Sequence, residues 1–140
     1  MARPTSFRLP EELLGRLEAE ASAGGISTTA LVTGLLDEGL KTRRFPGIVY
    51  RSGPTGRRAG LAGGPDVWEV VRAVRRSAGK GEQRLRRVAD ESGLALEQVG
   101  LAVEFYTAFP DEIEARIAAD EEVARQVREA GERRQRLLSS

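Results

Sequence analysis

The stretch that decides the fold of the N-terminal part reads TSFRLPEELL and spans residues 5–14. Its first half alternates polar and apolar side chains and ends at a proline, which predicts one short strand. Successive side chains of a strand point to opposite faces, so Phe7 and Leu9 share one face while Ser6 and Arg8 share the other. A proline suits the first turn of a helix, and the two glutamates after it suit the positive helix end. The segment therefore predicts a strand that leads directly into a helix.

Two helices are predicted after the strand. Apolar spacing indicates that the first helix buries Leu13, Leu14, Leu17 and Ala21. Gly24 and Gly25 end this helix, and Ser27 is a good N-cap for the next one. The second helix is expected to bury Leu31, Val32, Leu35, Leu36 and Leu40. One strand and two helices give too little core to fold alone, so we predict a symmetric dimer with antiparallel strands and interlocked helices.

The order of these elements is similar to that of a known family. The sequence RLPEEL at residues 8–13, the apolar pattern of the first helix, and GISTTAL at residues 25–31 carry the likeness. Over residues 4–40 the chain resembles the ribbon–helix–helix repressors of the Arc, MetJ and CopG superfamily. In that family the paired strands enter the major groove of DNA.

The resemblance implies a role for five residues. Ser6 and Arg8, on the outer face of the strand, are the expected base readers, because Arg can form a bidentate pair with guanine and Ser can donate or accept. The N-terminus of the second helix is expected to hold a phosphate through the amides near Ser27, Thr28 and Thr29 and the hydroxyls of Thr28 and Thr29.

The composition limits the chemistry available to the chain. Its 140 residues include no Cys and no His. This excludes disulfides, thiol chemistry, zinc-finger-type sites and His-based acid–base catalysis. The carboxylates of Asp111 and Glu112, next to Glu114, are expected on a solvated helix face rather than in a pocket. We therefore predict no enzyme activity, no catalytic residue, no metal site and no cofactor.

The net charge of +1 hides a strong partition along the chain. Residues 41–87 contain 13 basic and three acidic side chains, a net charge of +10, whereas residues 1–40 carry −3 and residues 88–140 carry −6. A basic segment of this kind is typical either of a surface that binds a polyanion or of solvated arginine-rich helix faces. The sequence leaves both interpretations open.

A basic hairpin is predicted at the start of this segment. The sequences IVYR at residues 48–51 and RRAGL at residues 57–61 are typical of strands, and the intervening Gly-Pro-Thr-Gly is typical of a turn. If this half of the chain contacts DNA, the predicted secondary contact is the hairpin, in the manner of a wing, through Arg51, Arg57 and Arg58.

Three helices are predicted after the hairpin. Asp66 is expected to cap the first, whose apolar face comprises Val67, Trp68, Val70, Val71 and Val74, and whose other side carries Arg72, Arg75 and Arg76. The next two, at Glu82–Glu91 and Leu96–Phe109, are spaced like a helix-turn-helix. The second of this pair is expected to expose Glu97, Gln98, Gly100 and Glu104. Its carboxylates would repel phosphates, so packing or dimerisation is favoured over groove reading.

This half also resembles a known family. The matching stretches are FPGIVYR, GRRA, DVWEVV, LALEQV, AVEFY and FPDEI, which begin at residues 45, 56, 66, 94, 102 and 109. Over residues 46–117 they are similar to a small winged-helix-like domain of bacterial antitoxins of the VapB type. The resemblance implies that the chain is the partner of a PIN-like ribonuclease toxin.

The tail from Asp111 to Leu138 is predicted to be one charged helix. Ile113 and Ile117 continue the apolar face, which thins beyond Asp120. Two interpretations stay open: a solvated helix or one that completes a dimer, and a segment that wraps the toxin. In the second interpretation, the predicted toxin-binding residues are Arg116, Val123, Arg125, Val127 and Arg128.

Together these patterns predict a mainly α fold. The predicted domains are a ribbon–helix–helix domain over residues 1–44, a winged-helix or helix-turn-helix-like domain with a β-hairpin over residues 45–117, and a charged helix or tail over residues 118–140. The predicted function is that of a DNA-binding antitoxin and transcriptional autorepressor. Its expected partners are double-stranded operator DNA, a second copy in a homodimer, a further dimer on DNA, and a PIN-like ribonuclease toxin.

Two other functions are compatible with the sequence. One is a stand-alone ribbon–helix–helix regulator without a toxin, and the other is a protein-binding dimerisation module. No run of about 20 apolar residues occurs and the N-terminus lacks an apolar signal segment, so we expect a cytoplasmic, nucleoid-associated bacterial protein that makes no membrane contact.

Overall fold

The computed structural model describes residues 1–140 as two compact units, Met1–Arg44 and Phe45–Ser140, which we name the N-terminal unit and the C-terminal unit. The fold is mainly α, as predicted, with one antiparallel two-stranded sheet. The elements are α1 (Glu11–Gly24), α2 (Thr28–Arg44), β1 (Ile48–Arg51), β2 (Arg58–Leu61), α3 (Val67–Arg76), α4 (Glu82–Ser92), α5 (Leu96–Ala108) and α6 (Pro110–Ser139).

The helices of the N-terminal unit begin and end where the sequence indicates. Gly25 adopts a left-handed conformation with φ of 66°, and the amide of Ile26 donates to the carbonyl of Ala21 at 3.0 Å, which closes α1. The Ser27 Oγ accepts the amide of Ala30 at 3.0 Å, so Ser27 caps α2 as predicted. Residues 1–10 carry no strand in the single chain, and because a strand needs a hydrogen-bonded neighbour, the predicted strand pairing stays a prediction.

The predicted apolar faces of these two helices are not buried within one chain. Ala21 is the one fully buried side chain of α1, and α2 has none. Leu31 and Val32 are half-buried, in contrast to the burial predicted for them. The exposed large apolar residues of the N-terminal unit, apart from the initiating Met, are Phe7, Leu9, Leu13, Leu14, Ile26, Leu35, Leu36 and Leu40. Two helices alone offer no surface to cover these residues, so their burial in the predicted dimer stays a prediction.

The C-terminal unit has a hydrophobic core of its own. In the hairpin, Ile48 pairs with Leu61 and Arg51 with Arg58, and one face of this sheet packs on the helices. The core comprises Ile48, Ala59, Leu61, Val67, Val70, Val71, Val88, Ala89, Val99, Ala102, Phe105, Ile113 and Ile117. Phe105 is fully buried, with its ring centroid 5.5 Å from that of Phe45 and 5.1 Å from that of Phe109. This arrangement of edge-on and tilted rings is a favourable one for aromatic side chains.

The predicted helix-turn-helix spacing corresponds to a tight turn between α4 and α5. Gly93 has φ of 76°, a left-handed conformation that glycine adopts without steric cost, and it ends α4. Ala89 and Val99 are buried on either side of the turn. Of the four residues predicted to be exposed on α5, Gln98 and Gly100 are half-buried instead, because Gln98 Oε1 accepts the amide of Ala95 at 2.9 Å.

The tail forms a single helix of 30 residues. Pro110 stands in its first turn, where a missing amide hydrogen has no cost. Ile113 and Ile117 are buried in the core, whereas Val123, Val127, Leu137 and Leu138 are exposed. At 1.5 Å per residue, α6 is about 45 Å long. None of the six helices is both long and apolar enough to cross a membrane.

The aromatic contacts of Phe105 make a testable contribution to stability. We expect Phe105→Ala to lower the free energy of unfolding of the C-terminal unit by about 4 kcal/mol, because it leaves a cavity between two rings. Phe105→Leu, which keeps most of the volume, should cost about 1.5 kcal/mol. Urea denaturation followed by the fluorescence of Trp68, the one tryptophan of the chain, measures both values. Equal midpoints for the two variants and the wild type would contradict the assignment of Phe105 to the core.

Candidate nucleic-acid interface

The predicted base readers lie on an exposed N-terminal arm, residues 1–10. Ser6 and Arg8 are solvent-accessible, and neither Arg8 nor Arg3 forms an ion pair within the chain. Phe7, on the opposite side of the predicted strand, is 76% exposed although it is apolar. The arm thus presents two arginines to solvent beside an apolar ring that has no cover.

The residues of the predicted phosphate site at the start of α2 differ in what they contact. The Ser27 hydroxyl oxygen accepts the amide of Ala30 and so caps the helix. Thr28 is half-buried and Thr29 is exposed. Their backbone amides belong to the first helical turn, where amides have no intrahelical acceptor and can donate to an anion. Thr28 and Thr29 therefore offer backbone amides to an anion, and the Ser27 hydroxyl, although it accepts the cap hydrogen bond, keeps its own hydrogen as a donor.

The hairpin is not the open basic finger that the sequence suggests. The Arg51 Nη2 donates to Asp66 Oδ1 at 2.9 Å, and its Nη1 donates to the carbonyl of Leu61 at 3.2 Å. The Arg58 Nε donates to the other oxygen of the same carboxylate, which also accepts the Trp68 Nε1 at 3.2 Å. We name Asp66, Arg51, Arg58 and Trp68 the Asp66 cluster.

The Asp66 cluster is an internal feature of the fold. The Asp66 side chain is 10% exposed, and those of Arg51 and Arg58 are 31% and 27% exposed. One carboxylate thus lies between two guanidinium groups, which directs both arginines inward. The guanidinium groups of Arg51 and Arg58, which are predicted secondary DNA contacts, thus have partners inside the unit, and their contact with DNA stays a prediction. Arg57 is the exposed arginine of the hairpin, and it donates to the Ser52 Oγ at 2.9 Å.

Two glycines of the hairpin allow the arginines to turn inward. A Cβ at Gly60 would overlap the guanidinium group of Arg51, and a Cβ at Gly53 would overlap that of Arg58. Because Asp66 fixes both guanidinium groups, a side chain at either glycine would displace its arginine from the carboxylate. The glycine-rich composition of the hairpin therefore follows from the approach of these side chains as well as from its turn.

The arginines of α3 are also engaged by other helices. The Arg72 guanidinium lies 4.6 Å from the Trp68 ring centroid and donates to Asp120 of α6 at 2.7 Å. Arg75 donates to Glu114 of α6, and its Nη2 also donates to the Tyr106 hydroxyl at 2.9 Å. These contacts join α3 and α5 to the first half of α6. The hydrogen bond from Arg75, and then that from Tyr106, lowers the pKa of the Glu114 carboxyl below its ordinary value.

The predicted toxin-binding residues divide between structural and exposed positions. Arg116 donates to the Thr55 Oγ1 at 2.6 Å and to the carbonyl of Arg57 at 3.2 Å, so it fastens the hairpin turn to α6. Arg125 pairs with Glu122 and Glu129 along its own helix. The three remaining residues of the prediction, all exposed, are Val123, Arg128 and Val127.

The carboxylates that an enzyme would need have structural partners. Both oxygens of Glu112 accept the Tyr50 hydroxyl, at 3.0 and 2.8 Å, and Glu114 is held by Arg75 and Tyr106. No group of three or more carboxylate side chains is placed to hold a metal ion.

The residual positive charge of the basic segment lies beside the α3–α4 connection. We name the four basic residues there the α3–α4 basic surface: Arg76, Lys80, Arg86 and Arg87. All four are exposed and form no ion pair within the chain. Arg86 and Arg87 border an open depression with Ala78 and Gly79 of the connection, and the exposed acids Asp90 and Glu91 also line it. Reasoning from the sequence missed this division between engaged and free arginines, and the signal for it was Asp66, a rare acid among many arginines.

Removal of the Asp66 carboxylate tests the structural role of the cluster. We expect Asp66→Ala to lower the free energy of unfolding of the C-terminal unit by about 3 kcal/mol, because three donors lose their shared acceptor. Asp90→Ala is the matched control, since Asp90 is an exposed acid on α4 without an ion pair. Thermal denaturation monitored by circular dichroism measures both effects. An Asp66→Ala variant as stable as Asp90→Ala would contradict this role.

Comparisons of the chain with protein-family models, with curated proteins and with solved structures give no match. The function proposed for the chain therefore depends on the exposure, contacts and charge of the residues described above, together with the two family resemblances in its sequence.

Proposed function

We propose that the chain is a homodimeric DNA-binding protein that represses transcription, in the manner of an autoregulating antitoxin. The observation that carries the proposal is the exposure of the N-terminal unit. This unit has one fully buried side chain, Ala21, and eight exposed large apolar residues besides Met1. It also carries an exposed arm with basic and hydroxyl side chains at alternate positions.

The exposed apolar residues support a dimer with a shared core. Leu35, Leu36 and Leu40 of α2 are 49%, 56% and 69% exposed. Complete burial of a leucine side chain stabilises a protein by roughly 1.5–3 kcal/mol, so covering these residues in a second copy is a large gain. A symmetric dimer covers the same apolar residues in both copies, which explains why neither helix is stabilised within one chain.

The arm supports recognition of double-stranded DNA. When two arms pair as antiparallel strands, Phe7 and Leu9 of each copy face the shared core, while Ser6 and Arg8 of both copies line the outer face. A two-stranded ribbon fits the major groove, where Arg can distinguish guanine by two hydrogen bonds. The free amides of Thr28 and Thr29 then suit a DNA phosphate.

The C-terminal unit offers a secondary contact for the DNA backbone. The α3–α4 basic surface replaces Arg51 and Arg58 in this role, because its side chains are not engaged by carboxylates. Arg57 is the hairpin residue that stays accessible to solvent. Contacts of this kind contribute affinity that falls with salt concentration but little sequence information.

A toxin of the PIN-like ribonuclease class is the partner that the second resemblance implies. The part of the predicted toxin surface that stays accessible comprises Val123, Val127 and Arg128. Purification of the chain expressed together with its neighbouring gene distinguishes an antitoxin from a stand-alone regulator: a bound nuclease supports the first, and its absence supports the second.

A single substitution tests the shared core of the dimer. In the isolated chain Leu36 is 56% exposed, so Leu36→Glu would be harmless to a monomer. In the proposed dimer it buries a charge, and we expect the dissociation constant to rise at least 100-fold, equivalent to about 2.7 kcal/mol. Sedimentation equilibrium measures it. Ala30→Glu, an exposed position on the polar side of the same helix, is the control and should keep the wild-type constant. A monomeric wild type at micromolar concentration would overturn the dimer.

A salt titration of DNA binding tests the arm. On DNA from upstream of the chain's own gene, we expect Arg8→Ala to weaken specific binding by roughly 5- to 150-fold, the loss of 1–3 kcal/mol from one bidentate contact. Arg16→Ala, an exposed arginine of α1, is the control and should bind like the wild type.

Gel shifts at several salt concentrations separate the outcomes of this titration. Equal binding by Arg8→Ala and the control would indicate that the DNA contact lies on the α3–α4 basic surface and not on the arm. Absence of binding by the wild type at low salt would contradict the repressor and favour a protein-binding module.

A further inference from the structure

The second half of α6 extends away from the core of the C-terminal unit. Asp120 is the last residue of α6 that pairs with another element, through Arg72. From Glu121 to Ser139 every side chain is exposed except the half-buried Glu129. This half continues a helix whose first half is packed in the core, so its nucleation is already provided, and Arg125 pairs along the helix with Glu122 and Glu129. Its large apolar side chains nevertheless have no cover within the chain.

One side of this segment carries a stripe with coiled-coil spacing. We name it the α6 stripe: Val123, Val127, Ala130, Arg134 and Leu137, separated by intervals of four, three, four and three residues. Val127 is 66% and Leu137 is 75% exposed. Alternating intervals of three and four are those of the a and d positions of a heptad. A single charged residue at such a position, here Arg134, restricts register and strand number.

The stripe has large apolar residues at its two ends and small ones in the middle. Ala130 and Gly131 lie halfway between Val123 and Leu138. When two copies of this helix run antiparallel about Ala130, the small residues of both copies meet at the crossing point and allow a close approach. Val123 of each copy then lies against Leu137 of the other, and Val127 lies level with Arg134.

The charges of the segment complement each other in the same orientation. Its first residues include Asp120, Glu121 and Glu122, and its last turns include Arg133, Arg134 and Arg136. The three C-terminal arginines have no ion pair within the chain. A parallel pair would place acid beside acid and arginine beside arginine, whereas an antiparallel pair about Ala130 brings Glu121 and Glu122 of each copy near Arg136 of the other.

We propose that α6 is a second self-association surface, which pairs antiparallel with α6 of another copy about Ala130. The proposal goes beyond DNA binding, and it does not depend on the shared core of the N-terminal unit. Where both surfaces act in one dimer, the first raises the effective concentration of the second. The α6 stripe includes Val123 and Val127, so self-association and a toxin would compete for the same side chains.

The absence of cysteine allows a direct test by oxidation of single-cysteine variants of the full chain. In Ala130→Cys the two sulfurs lie at the crossing point, and we expect a disulfide-linked dimer to form several-fold faster than in the control, since a disulfide needs Cα atoms within about 7 Å. Glu132→Cys, on the opposite side of α6 from Val123, is that control. Val123→Cys alone should not cross-link, because its two copies lie about 20 Å apart in an antiparallel pair.

A double variant and a second background complete the test. The double variant Val123→Cys and Leu137→Cys should cross-link, because Cys at position 123 of one copy lies beside Cys at position 137 of the other. The Ala130→Cys cross-link should persist at raised protein concentration in the Leu36→Glu background, which separates α6 pairing from dimerisation through α2.

Three outcomes would overturn the proposal. Cross-linking of Val123→Cys alone indicates a parallel pair. Equal rates for Ala130→Cys and Glu132→Cys indicate random collision. If Ala130→Cys no longer cross-links at any concentration when Leu36→Glu is also present, the α6 helices meet only because α2 dimerises. Loss of DNA binding changes none of these results, so the two proposals fail separately.

Discussion

The carboxylate of Asp66 is the contact on which the C-terminal unit depends. It lies at the N-terminus of α3 and accepts Arg51 and Arg58 from the two strands of the hairpin, together with the indole of Trp68. Without this carboxylate, two guanidinium groups would lie side by side over the sheet. The same group thus fixes the hairpin on the helix and decides which arginines of a highly basic segment are left for solvent. Arg72 lies over the Trp68 ring and donates to Asp120, so it connects the cluster to α6.

The two units solve the problem of a small core in different ways. The C-terminal unit gathers a hairpin and four helices around Phe105, and it buries 13 apolar side chains. The N-terminal unit has two helices and buries one. Because the entropic cost of ordering each residue is similar in both units, the N-terminal unit has far fewer buried apolar contacts to offset that cost within one chain. This constraint is the physical basis of the proposed dimer, and it holds whichever nucleic acid or protein the arm contacts.

Local signals made most of the elements predictable. Ser27, Gly25 and Gly93 mark helix ends by their capping and backbone preferences, and all three act as the sequence indicates. The contacts between elements were not predictable from local spacing. Arg51 and Arg58 were predicted as DNA contacts and Arg116 as a toxin contact, yet each has a partner in the chain that is eight to 61 residues away. Apolar periodicity has a similar limit. It identified the helix face that contains Leu36 and Leu40 as one to be buried, but it does not identify the surface that buries it.

The single buried side chain of the N-terminal unit has a consequence for how the protein responds to its own abundance. The hydrophobic core of the C-terminal unit lies within one molecule, so its contribution to stability does not change on dilution. A unit that takes its core from a second copy gains about 1.4 kcal/mol for each tenfold rise in protein concentration. In the proposed dimer, the folding of the N-terminal unit would therefore depend on protein concentration. If the chain represses its own gene as proposed, the DNA-reading arm would be assembled only above the concentration at which two copies associate.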